Sequence, residues 1–535
     1  MMSSGSVVLN VAPGLPLLPR AGNSDDHGGK IDAEIRHAFQ SASLPRAVNA
    51  SALTRRKYYE DECVQRRIAE FFGGAIPDRA SAVSFAAGTE ASSNHRDRRP
   101  LEEMQSWMRQ GAELNRSLWD RRGLIAHLDI EHVNFDRPAS SYLEAERAFH
   151  LQEPVVTVVE ELLGSFGIPA LHVLTGRGHH FVWQIAQGSE PFGRLASLGH
   201  LPASLQRLYA SEQAPTGERV QPALGAAFAG LGLVMEFIAH RIKEEAAPHC
   251  ALPVELAAIE VGAGPHGREM IAVDITEYAD PLCTRITRAP FSVYLKALQD
   301  HFPPDDEAVR RLPSLFIIPI GDLTLDEALA VRRDVHAVKA HAKRTPAAIP
   351  DVSEAMGKLI AAYEVSLLAG FHQEYYSEQH DAPAMWPETY DRTPLEALPA
   401  CVRRMLEQPN DLLLRPACVR RVVRVMLALG WHPRHIAGLI RSKYERDFGW
   451  GDQWQGFDPA TRADFYARVF SGLFFTGVDD LVDFNCQSAR DAHLCLIDDC
   501  QRNLQNFREL LLNRRRYERL AHRTVHRMPL AEEHL

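Results

Sequence analysis

Cysteine is scarce in this chain, with eight in 535 residues. That is too few for a disulfide scaffold, and no two of them have the C-x-x-C spacing of a short zinc ribbon. There is no basic excess either: the formal net charge is −10 and the isoelectric point about 6.2. Nucleic-acid binding would therefore have to rest on local basic patches. No apolar run reads as reaching the roughly 18 residues a membrane helix needs, so a cytoplasmic protein without membrane partners is expected. The N-terminal "VVLNVAPGLPLLPRAG" is broken by Pro and Gly and has no basic residue before it, so it does not read as a signal peptide. No internal repeat is visible. What is present is ordinary for a globular chain, 45% hydrophobic and 24% charged, at a length that calls for two or three domains.

Residues 1–48 are rich in Gly, Ser, Pro and Asp and read as a mobile lead-in. Residues 49–345 open with a helical pattern, "YYEDECVQRRIAEFF". They then alternate strand-like runs ("LIAHLDIEHVNF", "ALHVLTGRGHHFVWQI", "REMIAVDITEY") with helical ones ("LEAERAFHLQEPVVTVVEELLGSFG", "LGAAFAGLGLVMEFIAHRIKEEA"). That mixture predicts an α/β or α+β catalytic domain. From about 346 to 535 strand signals fade. Amphipathic patterns such as "RPACVRRVVRVMLALG" predict a mostly α-helical C-terminal domain.

In "HLDIEHVNFD", Asp129 and Glu131 are two apart in a strand and share a face. Two neighbouring carboxylates repel unless something positive lies between them, and a hard divalent cation is the simplest solution. The plainer alternative is an exposed strand face with two solvated acids. "MIAVDITEY" adds Asp274 at the end of a second apolar strand, either a third ligand or an ordinary strand-end turn residue. Between them, "LTGRGHHFVW" offers Gly176 and Gly178 for close backbone approach to a ligand, with Arg177 and His180 to meet phosphate oxygens. A glycine hairpin with surface histidines is the alternative.

In this order the motifs resemble the archaeo-eukaryotic primase superfamily. Its core carries an Asp-x-Asp/Glu strand, a Ser-Gly-x-Gly-x-His strand, and a strand ending in an apolar residue and Asp. Here they stand as Asp129-Ile-Glu131, Thr175-Gly176-Arg177-Gly178-His179-His180 and Val273-Asp274. Arg285, Arg288, Pro290, Ser292 and Lys296 follow in the family's order. Thr175 replaces the usual Ser, and His179 fills a position often small. The resemblance implies a primase-type core with an RRM-like sheet, in which Asp129, Glu131 and Asp274 hold Mg²⁺ or Mn²⁺. Thr175, Gly176, Arg177, Gly178 and His180 would bind the incoming NTP or dNTP. Arg285, Arg288 and Lys296 would meet triphosphate or template backbone. The implied reaction is templated nucleotidyl transfer on single-stranded DNA, in replication or repair, with a helicase or other replication proteins as further partners.

Cys401, followed at distance by Cys486, Cys495 and Cys500, suits a four-thiolate site. On spacing alone zinc, or no metal, stays open. The pattern resembles the helical C-terminal domain of the primase large subunit, which implies a 4Fe–4S cluster on these four residues, with Ala400 where that family has Pro. Cys418, on a helical pattern, reads as core. Basic residues between Arg403 and Arg446, with Trp431, Tyr444, Trp450 and Trp454, offer a stacking surface for single strands, or else a solvated helix face with core aromatics. Two rival functions remain. A replication-initiator or relaxase nuclease would need a His-x-His strand, but His179 and His180 are adjacent. A non-catalytic nucleic-acid-binding protein could use "ALGWHPRHIAGLIRSKYERDF" as a helix-turn-helix, but this leaves the acids unexplained.

Overall fold

The computed structural model describes residues 53–90, 97–211, 214–262, 267–450, 457–495, 500 and 502–525. The expected lead-in at 1–48 and Trp454 lie outside them. The fold is mixed α/β, 53% helical, with a mixed sheet and a helical C-terminal region. The strands are β1 (Phe85–Gly88), β2 (Glu113–Ser117), β3 (Gly123–Asn134), β4 (Leu171–Leu174), β5 (Gly178–Ala186), β6 (Val254–Glu255), β7 (Glu269–Asp274), β8 (Ile286–Arg288), β9 (Val293–Tyr294), β10 (Leu315–Phe316) and β11 (Ile318–Pro319). Six form the principal sheet in the order β11-β4-β5-β3-β7-β6, and β1-β2-β8 form a second, three-stranded sheet. In the principal sheet only the β6–β7 pairing is parallel.

β3 is the spine, pairing with β5 on one side and β7 on the other. Its Leu124, Ala126, Leu128 and Ile130 join the main apolar core and are fully buried. Its odd residues are buried as well, so both faces are covered rather than one. The expected helix over 143–167 is two helices, Ala145–His150 and Glu153–Phe166. Pro154 opens the second, where its missing N–H costs nothing. The buried Gln152 between them donates to the carbonyls of Ala148 and Arg177, tying the break to the β4–β5 turn.

Helix Pro222–Ala246 corrects the expectation that no segment reaches membrane length. It is long and apolar enough by composition, but 78% of its apolar window is buried inside the protein. It lies between the principal sheet and the C-terminal helices, and it carries buried polar groups. Glu236 accepts from Arg468 Nε at 2.9 Å, and its other oxygen lies 3.2 Å from His372 Nε2 and 3.9 Å from His240 Nε2. One continuous hydrophobic cluster runs from Tyr58 to Leu511.

This junction is expected to loosen in acid. Burial would raise the Glu236 carboxyl, but His372 and Arg468 pull it down to about 2. Burial brings His240 down to about 4 against the pull of Glu236. A depressed histidine loses stability as pH falls from about 6.5 to about 4, because the unfolded chain takes the proton first. A depressed carboxylate loses it from about 4.5 to about 2. Each contributes on the order of 3 kcal/mol. Urea midpoints measured from pH 7 to pH 3 should therefore fall continuously, and Glu236→Gln should flatten the part below pH 4.5. A level profile would show that the network carries no such linkage.

In the C-terminal region every regular element among the described residues is helical. The basic run expected as a nucleic-acid surface is largely internal. Arg420 and Arg424 are buried and pair with Glu255, Asp479 and Asp483. Arg434, Arg441 and Arg446 pair with Asp464, Glu445 and Asp391. Tyr444 and Trp450 are core residues in edge-to-face contact. Helix Pro433–Tyr444, second in the would-be helix-turn-helix, is mostly buried and packs against helix Pro459–Thr476, with Arg434, His435 and Arg441 partly exposed.

Candidate functional site

Strand register assembles the site. Asp129 stands directly opposite His180 on β5 and Asp274 on β7. Directly paired residues project to the same face, so the three side chains form a row across the sheet. Glu131 follows on that face, two residues along β3, and His127 precedes. Asp129 is 0% exposed, Glu131 and Asp274 2%. The solvated-strand alternative is thereby excluded. His179 points the other way, its Nδ1 lying 2.9 Å from His172 Nε2 and its ring edge-on to Phe149.

The row is short of partners. Neither oxygen of Asp129 nor either ring nitrogen of His180 has a hydrogen bond, and the closest approach between the two side chains is 3.4 Å. Burial, with Glu131 and Asp274 adding repulsion, holds the Asp129 carboxyl well above the usual carboxylate range. Burial and Glu277 push Asp274 up to about 7 although Thr276 donates its backbone N–H to it. Burial, His127 and Arg288 hold the His180 imidazole well below its ordinary value.

Three cations face these acids. Arg177 donates to Glu131 at 2.8 Å. Arg288 lies 3.4 Å from Glu113 and over the Tyr294 ring, with Glu131 and Asp129 favouring its charge. Lys296 has no hydrogen-bond partner, and burial with Arg177 nearby brings it down to about 8. Arg285 does not join them. It pairs with Asp280 and donates to the Thr276 carbonyl at 2.7 Å, bracing the segment after β7.

The Thr175–Gly178 turn is not open to a ligand in this structure. Thr175 Oγ1 and N both donate to the Gly178 carbonyl. A Cβ on Gly176 would lie 2.1 Å from the Tyr294 ring, and one on Gly178 would lie 1.8 Å from the Ile130 carbonyl oxygen. The glycines admit the protein's own atoms. Gly178→Ala should therefore cost about 3 kcal/mol or more, since the clash is with backbone at the centre of the sheet. Urea unfolding checks it, and a neutral substitution would mean that β3 and β5 can separate locally.

Sequence reading missed three residues. Glu277 is a fourth buried acid, 3.2 Å from His127 Nδ1. His127 shares the face of Asp129 and sits edge-to-face on His180 at 4.5 Å. Arg332, wholly buried, donates to the carbonyls of Thr175 and Gly176 and lies 4.5 Å over Phe149. Only the i−2 spacing of His127 was visible in the sequence. The other two contacts span more than a hundred residues.

Among the described residues no three His, Cys, Asp or Glu side chains already stand at metal-ligand spacing. The donor set nonetheless suits a hard divalent ion, because buried carboxylate oxygens lacking any hydrogen bond are what such an ion would satisfy. Elsewhere, burial lifts the Cys401 thiol to about 11, with Cys495 and Cys486 close enough to add to it. Cys486 Sγ accepts from Leu504 N at 3.3 Å. Arg502, whose carbonyl accepts from Cys500 Sγ at 3.4 Å, donates to Ala397, four residues before Cys401. Cys401, Cys486 and Cys495 thus share one neighbourhood, and Cys500 is linked to it only through the Arg502 contact with Ala397. Cys418 is fully buried among Arg415, Arg421 and Glu260 instead. No family model, curated protein or solved structure matches this chain.

Proposed function

We propose that this chain is a DNA-dependent primase-polymerase: a metal-dependent nucleotidyltransferase that copies a single-stranded template, with a primase-type catalytic core and an iron–sulfur helical region. The observation that carries the reading is the row His180–Asp129–Asp274 across three adjacent strands, buried, with Glu131 beside it and the Asp129 oxygens without a partner. Carboxylates kept in such a place cost stability, which is the mark of a functional site rather than a structural one.

Mg²⁺ or Mn²⁺ bound to these acids would supply charge for the triphosphate and acidify a primer 3′-hydroxyl. The chain's own residues do the rest. His180, neutral under its burial, offers a ring N–H to a phosphate oxygen. Arg288 and Lys296, already aimed at the carboxylate face, counter the triphosphate charge. Arg177 fixes the Glu131 carboxylate. The face is closed over in this structure, so entry of a nucleotide requires the covering segments to move apart.

A purified sample given a single-stranded template, NTPs or dNTPs and Mn²⁺ should make template-length products, and failure with all nucleotide sets would overturn the reading. Within that assay, His180→Ala should raise the nucleotide KM by roughly ten-fold or more with template affinity little changed, as loss of a phosphate contact does. His179→Ala should act mainly on stability, because its ring lies among His172 and Phe149. The reverse pattern would assign the nucleotide to the other face of β5.

A further inference from the structure

We propose that Glu277 is a cation ligand, so that the divalent ion is cornered by Asp129, Asp274 and Glu277, while Glu131 stays with Arg177. This rests on the nucleotidyl-transfer reading and deepens it.

The turn after β7 builds the corner. Asp274 Oδ1 accepts from Thr276 N at 2.9 Å, which starts the single 3₁₀ turn Thr276–Ala279. That turn brings Glu277 back beside the strand end it has just left. Tyr278 pins the turn to β3: its hydroxyl donates to the His127 carbonyl at 3.1 Å and accepts from His127 N at 3.2 Å. Glu277 Oε1 lies 3.2 Å from His127 Nδ1, so the carboxylate is oriented by a histidine. Its Oε2 is buried with no hydrogen bond, as are both oxygens of Asp129. A carboxylate held by one oxygen and left bare at the other is arranged as a metal ligand is.

The charges decide where an ion belongs. Glu131 already has Arg177 at 2.8 Å, and Lys296 is its neighbour. Arg288 is drawn to Glu113. Among the described residues no Arg or Lys makes an ion pair with Asp129, Asp274 or Glu277; the side chains that approach them are the imidazoles of His180, 3.4 Å from Asp129, and His127, 3.2 Å from Glu277. A direct Arg or Lys partner is therefore missing at the Asp129–Asp274–Glu277 corner, whereas Glu131 has Arg177. Three hard oxygen donors from three side chains suit Mg²⁺ or Mn²⁺, with water completing the shell.

Electron paramagnetic resonance of free Mn²⁺, titrated into full-length protein, reads binding without reference to activity. Glu277→Gln and Asp274→Asn should each weaken Mn²⁺ roughly ten-fold or more, and Glu131→Gln by less than about three-fold. Mn²⁺ should raise the melting temperature of the wild type and not that of Glu277→Gln. His127→Gln, which leaves the carboxylate but frees it, should weaken Mn²⁺ by a smaller factor, and it serves if Glu277→Gln does not fold. Wild-type Mn²⁺ affinity in both Glu277→Gln and His127→Gln, with affinity lost in Asp274→Asn, overturns the role of Glu277 and leaves the nucleotidyl-transfer reading intact. No Mn²⁺ uptake by the wild type overturns both.

Discussion

A folded Asp129→Asn protein should lose templated nucleotide incorporation by at least about a thousand-fold, which is about 4 kcal/mol of barrier. It should also melt higher than the wild type when no divalent cation is present. Both effects come from one fact: Asp129 is wholly buried, carries no hydrogen bond and stands among Glu131, Asp274 and Glu277. A neutral amide of the same shape removes that repulsion, and relief of about 1–3 kcal/mol is the expected scale. It is also a much poorer metal ligand than a carboxylate. Primer extension with Mn²⁺ and differential scanning calorimetry in chelator provide the two readouts. Wild-type incorporation by the folded variant would sink the catalytic assignment. Lost incorporation with a lower melting temperature would mean that Asp129 holds the sheet together instead.

How much of this the sequence disclosed follows from the range of each interaction. Asp129 and Glu131 share a face because a strand repeats every two residues, and that is legible in "HLDIE" without any fold. Asp274 was legible as the end of an apolar strand, and the choice of His180 over His179 followed from motif order; antiparallel register puts both opposite Asp129. The mixed α/β class and the fading of strands after 346 came from the same periodicities. Arg285 shows the limit. Its place in chain order suggested a phosphate contact, but Asp280 captures it five residues earlier in the chain. Gly176 shows another: glycine announces a close approach, not what approaches, and here it is Tyr294. The run from Arg403 to Arg446 carried a local charge excess, yet its partners Glu255, Asp479 and Asp483 lie far off in sequence. Composition in a window cannot show a charge cancelled from outside it.

The second large effect concerns the cysteines. Protein purified without oxygen should be brown and carry about four irons per chain, as a four-thiolate cluster requires. Cys401 belongs to helix Ala400–Glu407, Cys486 opens helix Cys486–Asp491, and Cys495 lies just beyond it. Their thiols form no disulfide and lie close together, and the burial that lifts Cys401 to about 11 keeps it a neutral thiol until a metal takes the proton's place. A cluster joining Cys401 to Cys486 would close a loop of 85 residues, the difference between the two positions. Loop-closure entropy of that size is worth on the order of 4 kcal/mol. Cys401→Ser, Cys486→Ser, Cys495→Ser and Cys500→Ser should each lose iron and open the C-terminal helices to protease. Extension of a preformed primer should survive in part, because the carboxylate face lies elsewhere, while initiation should fall further. Cys418→Ser should keep its iron, since that thiol sits among Arg415, Arg421 and Glu260 rather than with the other four. Stoichiometric zinc in the anaerobic protein would replace the cluster by a structural zinc on the same ligands. Full iron retention in Cys495→Ser would remove that residue from the set and leave the polymerase reading untouched.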